Sequence, residues 1–83
     1  MGALDGDWDV KPLPLVHKRI AGACGETRLG PLRVGFDVVG LELRYRGVFT
    51  GVVDVLEPDG DGFRLRGIYR GRTFGHFRLV RPE

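Results

Sequence analysis

From residue 41 onward, apolar and polar residues alternate. Leu41, Leu43 and Tyr45 hold odd positions with Glu42, Arg44 and Arg46 between them, the period of two by which a half-buried strand divides core from solvent. The alternation returns in Val53 and Val55, in Phe63 and Leu65, and in Phe77 and Leu79. Turn chemistry separates the runs, at Arg46-Gly47, at Glu57-Pro58-Asp59-Gly60-Asp61-Gly62 and at Arg70-Gly71. The pattern predicts a four-strand antiparallel meander over about 41–46, 49–57, 63–69 and 73–81.

A near-repeat fixes the expected pairing. Tyr45-Arg46-Gly47-Val48-Phe49-Thr50-Gly51 returns 24 residues later as Tyr69-Arg70-Gly71-Arg72-Thr73-Phe74-Gly75, which marks two similar hairpins. A three-residue loop pairs Tyr45 with Phe49 and Leu43 with Gly51, and likewise Tyr69 with Thr73 and Leu65 with Phe77. The inward face then holds Leu41, Leu43, Tyr45, Phe49, Val53, Val55, Phe63, Leu65, Tyr69, Phe77 and Leu79. The outward face mixes Val48, Val52, Leu56, Ile68, Phe74 and Val80 with arginines and His76.

The first half is less regular. Trp8, Val10 and Leu13 read as a short strand stopped by Pro12 and Pro14. Val16 and Ile20, four apart and following Pro14, fit a short helix around 15–23. Residues 24–32 read as a connection, and Val34, Phe36 and Val38 as a strand that Gly40 bends. Glycines 47, 51, 67, 71 and 75 in strand territory favour a curled sheet. The expectation is an all-β domain spanning 1–83. Five to seven strands coil into a small barrel, closed within one chain or half-open and completed in a homodimer.

Composition narrows the setting. Eighty-three residues make a single domain that buries about 60–65% of its unfolded surface, so its concave side is expected to be filled mostly by its own side chains. The single cysteine, Cys24, excludes an internal disulfide and points to a reducing, cytoplasmic compartment. The acidic start Met1–Asp7 is unlike a secretory leader, and no apolar run reaches the ~18 residues of a membrane span, so no membrane partner is expected. Net charge is +2, but residues 62–82 carry six arginines and no acid.

Gly6-Asp7-Trp8 opens the first strand, and a late arginine, Arg78 or Arg81, follows the meander. This combination resembles the lipocalin-like calycins. The resemblance implies that Trp8 closes one barrel end with the arginine packed over its ring, and that residues 15–23 form a lid or plug. It also implies a small apolar ligand on a concave side lined by Trp8, Phe36, Tyr45, Phe49, Tyr69 and Phe77.

Catalytic chemistry finds no constellation. Serine is absent, Thr27, Thr50 and Thr73 lack a local base, and Cys24 stands among glycines. His17 and His76 lack ligand spacing, although Phe74-Gly75-His76-Phe77 invites comparison with haem-binding barrels, and Asp59-Gly60-Asp61-Gly62 places Phe63 and Leu65 where a calcium loop needs oxygens. No cofactor, metal or catalytic residue is expected. The preferred reading is a non-catalytic binding or structural module. The alternatives are a homodimeric interaction module and a single-stranded nucleic-acid binder in which Arg64, Arg66, Arg70, Arg72 and Arg78, interleaved with Phe74 and His76, form a basic platform.

Overall fold

The computed structural model describes residues 3–83; the first two residues of the acidic N-terminus lie outside them. Eight strands follow in order: β1 (Gly6–Lys11), β2 (Val16–Ala21), β3 (Cys24–Leu29), β4 (Leu32–Val39), β5 (Glu42–Tyr45), β6 (Val52–Asp59), β7 (Gly62–Tyr69) and β8 (Arg72–Val80). Each pairs antiparallel with its neighbour, and β1 closes on β8 through Asp9–Val80, Val10–Leu79 and Lys11–Arg78. The barrel therefore closes within one chain, and a second copy is not needed to complete it. Closure leaves no free sheet edge.

The expected helix over 15–23 is instead β2 and the turn into β3, and the expected connection over 24–32 is mostly β3. Lys18 caused the misreading. It occupies an inward position between Val16 and Ile20, so a run that alternates in the barrel does not alternate in hydropathy.

The two Tyr-Arg-Gly hairpins turn out differently. Between β5 and β6, Gly47 and Gly51 both take positive φ (68° and 101°) around a short 3-10 turn at Gly47–Phe49. Thr50 ties that turn to the Gly47 carbonyl through its amide (3.1 Å) and its hydroxyl (2.7 Å). Leu43 thus faces Asp54 rather than Gly51. That odd shift flips β6, turning Val52, Asp54 and Leu56 inward and Val53 and Val55 outward. Leu41 falls in the exposed β4–β5 turn. Between β7 and β8 the loop is two residues, Arg70-Gly71, both at positive φ, and Tyr69 pairs with Arg72 rather than Thr73. A bulge at Phe74 then absorbs one residue and restores the expected Leu65–Phe77 pair.

The core fills the half of the barrel nearest the termini. Trp8, Ile20, Phe36, Leu43 and Leu79 are fully buried there, joined by Leu4, Leu56 and Phe63. Trp8 packs edge-on to Phe63 at 5.4 Å and donates its indole N–H to the Leu4 carbonyl at 2.8 Å. Arg81 covers the Trp8 ring, its guanidinium carbon 3.7 Å from the ring centroid, and donates to the carbonyls of Ala3, Asp5 and Asp7. Of the two candidate arginines, Arg81 closes this end; Arg78 points outward to Asp59.

Candidate ligand-binding site

A meander places alternate connections at alternate ends. The β1–β2, β3–β4, β5–β6 and β7–β8 connections share one end, here called the mouth, opposite the Trp8–Arg81 closure. Inside the mouth lies a cavity of about 310 Å³. Its wall is apolar, formed by Val10, Val16, Val34, Val52, Leu65 and Phe77, and its rim by Leu13, Leu29, Phe49 and Phe74. The expected self-filled interior therefore holds only for the half at the Trp8 end.

A buried polar cluster marks the boundary between the two halves. Lys18 on β2 and Asp54 on β6 form an ion pair at 2.9 Å, their side chains 3% and 6% exposed. The Lys18 ammonium also donates to Thr27 Oγ1 at 2.7 Å and to the Tyr45 hydroxyl. Tyr45 donates to Asp54 Oδ2 at 2.8 Å, and Thr27 and Tyr45 bond to each other at 2.7 Å. The three ammonium hydrogens thus meet three acceptors, and the pair neutralises its own charge. Lys18 also lies 5.3 Å from the Phe36 ring centroid and 5.1 Å from that of Tyr45. Burial draws the Lys18 ammonium below its ordinary 10.5, with the charge and hydrogen bond of Asp54 opposing. Burial foremost, and then the Asp54 charge, hold the Tyr45 phenol far above its ordinary 10.0, so it stays a donor.

Of the residues expected to line the concave side, Tyr45, Phe49 and Phe77 border this cavity. Trp8 and Phe36 are sealed in the core, and Tyr69 is exposed, stacked against the Arg70 guanidinium. Sequence reasoning missed Lys18, Thr27 and Asp54. The available signal was a charged residue inside each of two apolar runs, Val16-x-Lys18-x-Ile20 and Val52-x-Asp54-x-Leu56. No family model, no curated protein and no solved structure matches this chain.

The arginine platform is divided. Arg64, Arg66 and Arg78 lie on the outer face of β7 and β8, beside a groove of about 690 Å³ that also holds Lys11, His76, Glu57 and Asp59. Asp59 bridges Arg64 (3.4 Å) and Arg78 (3.1 Å). Arg70 and Arg72 stand apart at the mouth end. The Phe74 ring leans over inward-facing Gly67, where an added Cβ would meet it at 2.5 Å. It is therefore drawn off the arginine face, where it was expected to stack.

Proposed function

We propose that this barrel is a non-catalytic, lipocalin-like binding module that takes a small apolar ligand through its mouth. The observation that carries the reading is an apolar cavity of about 310 Å³ that ends on a buried, self-neutralised polar cluster. That volume sits at the lower end of the ~300–1,000 Å³ common for small-molecule sites. The Trp8–Arg81 closure at the opposite end adds support from the resemblance to calycins.

The cluster also bears on the ligand's head group. An ion pair already balanced leaves no counter-charge for a buried carboxylate or ammonium, whose desolvation would go uncompensated. A neutral ligand fits, and Asp54 offers it an acceptor, since the bonds described above use only Oδ2.

N-phenylnaphthylamine, a neutral fluorophore, tests the site. Its emission should rise and saturate with the protein and fall in Val52→Trp, which fills the cavity from β6. Val16→Phe serves if the first variant does not fold. No enhancement, or enhancement indifferent to both plugs, would refute the reading. The nucleic-acid alternative predicts oligonucleotide binding that is strongest at low salt and that weakens on Arg64→Ala or Arg78→Ala.

A further inference from the structure

The mouth end has a composition of its own. Among the described residues, all the exposed large apolar side chains except Val39 and Leu41 belong to its four connections or the strand ends beside them. Each connection presents one foremost: Leu15 is 73% exposed, Leu32 51%, Val48 95% and Phe74 58%. Charge is segregated as well. Residues 10–17, 28–34, 44–53 and 68–75 contain no Asp or Glu, yet carry Arg33, Arg70 and Arg72; Arg46 in the third segment turns back to Asp37 at 3.5 Å, and Lys11 lies in the outer groove beside Asp59. The opposite end carries acids in and beside its connections, including Asp5, Glu42, Asp59 and Asp61.

The backbone supplies an independent sign. Leu15 (φ 61°) and Arg70 (φ 50°) are the only non-glycine residues at positive φ among those described, and both stand at the mouth. A left-handed leucine with most of its side chain in water is unfavourable on both counts, and such strain gathers where function requires it. Exposed apolar clusters of this extent mark interaction surfaces.

We propose that the mouth end docks on an anionic membrane surface, its aliphatic loop tips entering the interface while the arginines meet lipid phosphates. Charge decides among occupants. A second copy would bring one basic collar against another. A nucleic-acid strand would match the charge, and Phe49, Tyr69 and Phe74 supply rings, but three of the four foremost tips, Leu15, Leu32 and Val48, are aliphatic and gain nothing from base stacking. An anionic lipid surface satisfies both the apolar tips and the basic collar. The absence of a spanning apolar run speaks only to crossing a bilayer, not to lying on one. Docking is independent of ligand binding, although it would set the cavity's opening against the lipid.

Co-sedimentation with vesicles tests this directly. The protein should bind phosphatidylglycerol–phosphatidylcholine vesicles at low salt, and bind pure phosphatidylcholine vesicles far less. Binding should weaken at least about fivefold in Arg70→Glu or Arg72→Glu. It should weaken too in Leu15→Ser and Val48→Ser, whose exposed side chains can be lost without unfolding the barrel. Leu41→Ser, at the other end, should change nothing. Leu15→Gly should raise the unfolding midpoint while reducing vesicle binding. N-phenylnaphthylamine binding without vesicles should survive in the tip variants, which separates this surface from the pocket. Equal binding to both vesicle types, or binding unmoved by the tip variants, would overturn the proposal. So would a dimer in light scattering that Val48→Ser dissolves, or oligonucleotide binding that needs the arginines alone.

Discussion

Lys18 and Asp54 are the residues on which the interior turns. Removing one partner strands a buried charge, so Lys18→Met and Asp54→Leu should each cost about 3–5 kcal/mol. The double variant should recover most of that loss, which urea unfolding of all four proteins would show as strong coupling. Tyr45 adds a pH signature. Its folded value is raised, so above pH 10.0 the unfolded phenol ionises while the folded one does not. Stability should then fall by up to about 1.4 kcal/mol per pH unit. Lys18, shifted down from 10.5, acts oppositely and adds stability as pH rises towards that value, after which its contribution is complete. Unfolding midpoints above pH 10.5, where the Lys18 contribution is complete, should fall steeply in the parent chain and much less in Tyr45→Phe. These inward polar residues escaped the sequence because alternation is recognised by hydropathy. Lys18 reads as a break in a strand, and Asp54 reads as proof that its neighbours face the core.

At the scale of elements, the strand pattern from residue 41 onward was legible, and so were most turn sites. The register of one hairpin was not. Similar Tyr-Arg-Gly segments give a two-residue turn with a bulge at β7–β8 and a longer loop with a 3-10 turn at β5–β6. What separates them is where positive φ falls. Gly47 and Gly51 bracket the longer loop, whereas Arg70 and Gly71 form the shorter turn. Identical residue types permit both outcomes, and packing selects between them. Glycines also serve as seats for rings across strands. Phe36 lies over Gly25, where an added Cβ would come within 2.8 Å of the ring and 2.4 Å of the Arg19 carbonyl oxygen. Gly25→Ala should therefore cost about 1–3 kcal/mol in urea unfolding, as overpacking does. Gly22→Ala, in the open turn beside it with nothing within 4 Å, carries only the penalty of its left-handed backbone, about 1 kcal/mol.

The whole molecule is a barrel with unlike ends. One is sealed by Trp8 beneath Arg81 and fringed with acids; the other is open, apolar and basic. The Trp8 signature and late arginine were readable in the chain, because both lie in short motifs. The open end was not, because it assembles from four connections far apart in sequence. Arg81→Ala should cost about 1–3 kcal/mol through lost stacking and carbonyl bonds and alter the Trp8 emission. Arg81→Lys should recover only part, since an ammonium cannot both cover the ring and span three carbonyls. The central claim is that the mouth cavity is a binding site. NMR shift mapping during titration with N-phenylnaphthylamine tests it most directly. The account predicts saturable shifts concentrated on the methyl groups of Val10, Val16, Val34, Val52 and Leu65. Shifts confined to the outer face around Arg64, His76 and Arg78, or none at all, would contradict it.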